Sequence, residues 1–144
     1  MRAKRLLVVL AICVSGPALE SQTANSPKQP AFMIRQPTIL AFFPPVTSKE
    51  LDQDPDTNEV LSDFQLYANQ VRGPLSKLGV DFRQVYARSF RVTNAGRTTT
   101  FHPASTRVGY YFVAPGRKPR IEYGVETDLD VLEVAKNYFG VTAK

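Results

Sequence analysis

The chain has 144 residues, 43% hydrophobic and 22% charged, with eighteen Lys and Arg against thirteen Asp and Glu, a net charge of +5. That is ordinary for a globular protein, enough for one domain with a real core and too short for two comfortable ones. One cysteine excludes an intrachain disulfide framework, and one histidine cannot build a zinc site without carboxylates beside it.

Residues 1–24 have the pattern of a secretory signal peptide. Arg2, Lys4 and Arg5 make a basic start, Leu6 to Val14 a nine-residue apolar run, and Ser15-Gly16-Pro17-Ala18 a small-residue exit. Nine apolar residues fall well short of the ~20 that a membrane-spanning helix requires. Cleavage after Ala18 fits the small-x-small rule through Gly16, whereas cleavage after Ala24 meets Gln22. Export to the periplasm or the extracellular space is expected. Cys13 ends Leu10-Ala11-Ile12-Cys13, a box like that of bacterial lipoproteins, but Ile12 is bulky for its position and plain secretion is favoured. Membrane contact is expected only if Cys13 is lipidated. Without residues 1–24 the chain has no cysteine, so thiolate chemistry is excluded, and fifteen basic residues face twelve acidic ones, +3.

Residues 25–36 are Pro-rich and polar and are expected to be a flexible leader, with Phe32, Met33 and Ile34 able to pin it to the domain. The domain itself is expected over 37–140, with 141–144 as a tail. Thr38 to Phe43 is nearly all apolar, the pattern of a central strand covered on both faces, and Pro44-Pro45 ends it. Val46 to Pro55 is expected to be an acidic loop. Asp56 and Glu59 have capping-box spacing, and Val60, Leu61, Phe64, Tyr67, Ala68, Val71, Leu75 and Leu78 recur as one helical stripe. Gly73-Pro74 predicts a kink or break, and Gly79 closes the helix.

Val80 to Val92 is rich in strand formers, but its alternation slips twice, which predicts one bent strand or two short ones with bulges. After the turn Asn94-Ala95-Gly96, Thr98 to His102 forms a short edge strand. Arg107 to Ala114 and Arg120 to Val125 flank Pro115-Gly116 and Lys118-Pro119 as a hairpin. Thr127-Asp128-Leu129-Asp130 then caps a last helix, stopped by Gly140, whose Leu129, Val131, Leu132, Val134, Ala135, Tyr138 and Phe139 cover the sheet.

This order, strand–helix–strand then strand–strand–helix, resembles the thioredoxin-like superfamily, on the strand Thr38–Phe43, the helix interrupted at Pro74 and the ending from Arg107 to Phe139. The resemblance implies an α/β fold with a mixed central sheet of four to five strands and flanking helices. Redox members carry Cys-x-x-Cys where the first helix begins, and the stretch from Pro44 to Pro74 has no cysteine. They also place a cis-proline just before the third strand, where Thr106-Arg107-Val108 stands here. The resemblance therefore implies the fold without oxidoreductase or peroxidase activity, and no cofactor is expected.

Three groups of residues are candidates for chemistry. Asp52, Asp54 and Asp56 alternate like oxygen ligands of a calcium loop, yet Thr57 stands where the turn needs Gly and Asp63 where a long bidentate Glu belongs. Acids that collect at a helix N-terminus and offset its dipole are the favoured account of them. His102 is a candidate general base, but the sequence names no nucleophile beside it. Finally, residues 81–125 hold eight basic residues against two acidic, net +6, while residues 46–79 hold three against six, net −3. Arg83, Arg88, Arg91, Arg107 and Arg120 are the candidate binding surface for an anionic envelope component or a protein partner. Export argues against nucleic acid. A binding or accessory module is the expected role; the alternatives are a hydrolase-type enzyme using His102 and a lipid-anchored accessory protein.

Overall fold

The computed structural model describes residues 28–104 and 107–142; the expected signal segment, its cleavage site, Cys13 and the end of the tail lie outside them. The elements run in the order β1 (Ala31–Met33), β2 (Thr38–Phe43), α1 (Ser48–Gln53), α2 (Pro55–Lys77), β3 (Asp81–Tyr86), β4 (Phe90–Asn94), β5 (Arg97–Phe101), β6 (Gly109–Val113), β7 (Arg120–Tyr123) and α3 (Asp128–Phe139).

The strands form two sheets, one of four strands in the order β3-β2-β6-β7 and one of three in the order β1-β4-β5. In the larger sheet β2 and β3 are parallel, joined by the α2 crossover, and β6 and β7 add antiparallel. In the smaller, β1 runs parallel to β4 and β5 antiparallel. The single sheet expected from sequence is corrected to two.

The reason lies in what each face of the larger sheet must cover. Ile39, Ala41, Phe82, Tyr110 and Phe112 point into a core shared with Phe64, Ala68, Val71 and Leu75 of α2 and Val131 and Ala135 of α3. Leu40, Phe42, Val85, Tyr111 and Val113 point the other way and meet Ile34, Phe90 and Val92 of the smaller-sheet side. The molecule is thus three layers: helices, four strands, three strands. A sheet apolar on both faces needs cover on both, which is why Thr38–Phe43 reads as a nearly unbroken apolar run.

The same layering explains the slipping alternation of residues 80–92. Phe82 faces the helices and Val85 the second sheet, so both parities are buried. The chain then leaves one sheet at Tyr86 and enters the other at Phe90. Of the three anchors expected in the leader, Phe32 and Ile34 sit against the second core and Met33 is exposed, because Ala31–Met33 is a strand, paired with residues 91–93, whose alternate side chains face outward.

The helix ends depart from expectation in three places. The capping box is Thr47 with Glu50, opening α1 inside the stretch expected to be loop, and not Asp56 with Glu59. The N-cap of α2 is Asp54, with Pro55 at the first turn, where its missing N–H costs nothing. The helix continues past Pro74 to Lys77 without a break. Of the expected stripes, Val60 (40% exposed) and Leu129 (71%) turn outward. The end of α3 is as expected: Thr127 accepts from the Asp130 amide and Gly140 takes the left-handed C-cap at φ 69°.

Candidate functional site

The carboxyl ends of the parallel strands β2 and β3 lie side by side, Phe43 opposite Tyr86. Ligands of α/β sheets gather at such ends, because there the connections diverge and leave a crevice. Here Pro44-Pro45 turns the chain away from β2, and Ala87-Arg88-Ser89 carries it from β3 to the other sheet. The segment Lys28–Pro30 closes the third side. It is tied down by the Arg91 amide donating to the Pro30 carbonyl at 2.9 Å and by Gln29 Nε2 donating to Ser89 Oγ at 2.6 Å.

Between these segments is a cavity of about 450 Å³. Pro30, Pro45, Ala87 and the ring of Tyr86 supply mainly apolar walls, and Lys28 and Arg88 stand on them as cations. Tyr86 is 57% exposed, yet its ring is not loose: the Phe43 ring lies 5.0 Å away. Two residues beyond Pro45 the chain reaches Thr47, the N-cap of α1. There the Thr47 backbone amide, then the Thr47 hydroxyl, and more weakly the charge of Arg88 hold the Glu50 carboxyl below its ordinary range, against a smaller opposing effect of burial. The arrangement suits a ligand with an apolar body and a negative group. Ser89 is the cavity's small hydroxyl nucleophile, and it is engaged by the Gln29 amide, which cannot take its proton.

Of the five arginines expected to form one binding surface, Arg88 alone lines this cavity. Arg83 on the edge strand β3 is 2.8 Å from Asp81, and Arg120 on β7, the opposite edge, is 2.5 Å from Glu122. Arg91 is exposed on β4 in the other sheet, and Arg107 lies 4.9 Å over the ring of Tyr123. His102 follows β5, is exposed, and is not among the residues lining the cavity. Asp52 is in α1, Asp54 caps α2 and accepts from Thr57 Oγ1 at 2.8 Å, and Asp56 is in the first turn of α2. Among the described residues, no group of three or more His, Cys, Asp or Glu comes together to hold a metal ion.

Sequence reasoning passed over Tyr86, Lys28 and the Gln29–Ser89 pair. The available signal was positional: Tyr86 ends the strand parallel to the one that Pro44-Pro45 closes. Comparison with protein-family models, with curated proteins and with solved structures finds no match to this chain.

Proposed function

We propose that this chain is an exported, non-redox binding module of thioredoxin-like architecture, whose cleft at the ends of β2 and β3 receives an anionic ligand with an apolar body. The architecture is supported by the order β3-β2-β6-β7, with β2 and β3 parallel, β6 and β7 antiparallel, and α2 and α3 sharing one core on one face. Export is supported by the basic start, short apolar run and small-residue exit of residues 1–24. The chain from residue 14 onward has no cysteine, so a role through surfaces is consistent with its composition.

The observation that carries the binding reading is the lining itself, with Tyr86, Pro30 and Pro45 as apolar walls under the charges of Lys28 and Arg88. The dye 8-anilinonaphthalene-1-sulfonate has this chemistry, an aromatic body with one sulfonate, and its fluorescence rises on burial. Titrated into the folded protein it should saturate a single site, and Tyr86→Ala or Arg88→Glu should each weaken binding by about tenfold while cooperative unfolding is retained. His102→Ala should leave the titration unchanged. Dye binding indifferent to Tyr86 and Arg88, or abolished by His102→Ala alone, would overturn the reading.

A further inference from the structure

At the far end of both sheets from the cleft, two hairpin turns meet. The first joins β4 to β5 through Ala95 (φ 49°) and Gly96 (φ 76°), a two-residue loop with both residues left-handed, whose twist matches the strands it connects. The second joins β6 to β7, with the Arg117 amide donating to the Ala114 carbonyl at 3.1 Å and Gly116 at φ 71°. One side chain holds them together. Asn94 Nδ2 donates to the carbonyls of Ala114 (3.0 Å) and Arg117 (3.1 Å), and its Oδ1 accepts from the Gly116 amide (3.0 Å).

The clamp gathers Arg97, Arg117 and Lys118 around a cavity of about 410 Å³ whose lining contains no carboxylate. Two of the three are further fixed through α3: the Arg117 guanidinium lies 4.8 Å over the Tyr138 ring, and the Tyr138 hydroxyl donates to the Lys118 carbonyl at 2.7 Å. Among the described residues, Arg83 and Arg120 have carboxylates within ion-pair distance, and none of these three does. Three like charges on pinned turns repel one another, and Ala95 holds a left-handed backbone conformation that an L side chain adopts only at a cost. The repulsion meets no carboxylate in the cavity lining, and an anion bound there would offset it.

We propose that this turn junction is a binding site for a phosphate-class oxyanion. Arg97 and Arg117 would supply planar donor forks and Lys118 a point charge, the combination that recognises a group bearing more than one negative oxygen. The cavity leaves room beyond a lone phosphate, so it can take the group on a larger molecule, either a free phosphorylated compound or a lipid headgroup. This site lies at the opposite end of the molecule from the Tyr86 cleft and stands or falls independently of it.

The test uses inorganic pyrophosphate as probe and amide NMR as readout, at matched ionic strength against chloride. Saturable shifts are expected at Gly96, Arg97, Gly116 and Lys118. Affinity should fall at least about tenfold in the Arg97→Ala/Lys118→Ala double variant, which leaves the Arg117–Tyr138 stack in place. Tyr86→Ala should bind pyrophosphate as the parent does. Sedimentation with phosphatidylglycerol and with phosphatidylcholine vesicles forms the second arm. Pyrophosphate binding without vesicle binding assigns a free phosphorylated ligand, and variant-sensitive binding to phosphatidylglycerol alone assigns a headgroup. Failure of both probes, or binding of either that the double variant does not weaken, would overturn the proposal.

Discussion

The ring of Tyr110 lies 5.0 Å from that of Phe64, and the Tyr110 hydroxyl is buried beside it without a hydrogen-bond partner among the described residues. Desolvation, reinforced by the charge of Glu126, pushes this phenol well above its ordinary 10.0. A buried hydroxyl that makes no bond is a net cost, so Tyr110→Phe should stabilise the fold by about 1 kcal/mol near neutral pH. The folded-state pKa exceeds the unfolded one, so the stability it reports is complete below pH 10.0 and lost as pH climbs toward the folded value. Tyr111 and Tyr138 are raised too, chiefly by burial, and contribute in the same direction. Urea unfolding of parent and variant at neutral and strongly alkaline pH checks both: the gap between them should widen as the solution becomes alkaline.

Gly109 opens β6 at a point where no side chain fits. A Cβ there would run into the Glu122 carbonyl oxygen of β7 and stand 2.8 Å from Phe42 Cζ and 3.1 Å from Tyr123 Cα. The backbone obstacle cannot rotate away, so Gly109→Ala should destabilise by about 3 kcal/mol through separation of β6 from β7. Gly73, inside α2, has nothing within 4 Å of such a Cβ, and Gly73→Ala should gain about 0.5–1 kcal/mol. Thermal melts of the two variants should move in opposite directions.

Much of this frame was legible in the sequence because local signals and burial agree there. The apolar run Thr38–Phe43, the crossover helix, the closing hairpin and the Thr127-capped helix appear in the expected order. What was hidden is the second sheet. Its strand β1 is three residues long and lies in a Pro-rich stretch, so it carries too little periodicity to register. Its strand β5 was expected as an edge strand over Thr98 to His102 and lies at Arg97–Phe101, but it is mostly exposed and carries no apolar alternation to say that it belongs to a second sheet. The two faces of β3 are buried against different layers, which erases the period-two pattern that marks a strand with one solvent face.

The α1 cap was missed because residues 46–55, rich in acids and bounded by prolines, have no apolar period to mark so short a helix. Thr47 Oγ1 accepts from the Glu50 amide at 3.2 Å while Glu50 Oε2 accepts from the Thr47 amide at 2.7 Å. These bonds favour the ionised carboxyl, first through the Thr47 backbone and then through its hydroxyl. Thr47→Ala should therefore raise the Glu50 pKa toward its ordinary value, read by NMR titration of the carboxyl carbon. Since the folded pKa is depressed, whatever the box adds to α1 is present above 4.5 and lost as pH falls through the folded value. Arg88→Ala should move the same pKa upward by less, because its charge is the weakest of the four influences.

The candidate sites were less legible than the fold, for a reason seen in the arginines. Charge counting finds a basic half but cannot say which cations already have partners. Arg83 and Arg120 each meet a carboxylate two residues away on the same strand, a spacing that places both on one face and was available in the sequence. Arg97, Arg117 and Lys118 converge only because two turns, distant in sequence, are clamped.

That convergence depends on Asn94. Its amide satisfies two carbonyls and one N–H across the turns, and Asn94→Ala removes all three bonds from partly exposed groups that water can then reach. The loss should be about 1–2 kcal/mol by urea unfolding, below the sum of three buried bonds. Asn94→Asp keeps the acceptor for Gly116 but turns a donor toward the Ala114 and Arg117 carbonyls into a second negative oxygen. It should destabilise at least as much and also fill the basic cavity with an internal charge. Pyrophosphate affinity then separates the two effects. Asn94→Ala weakens it by loosening the turns, and Asn94→Asp weakens it further, with the difference shrinking as salt screens the added carboxylate.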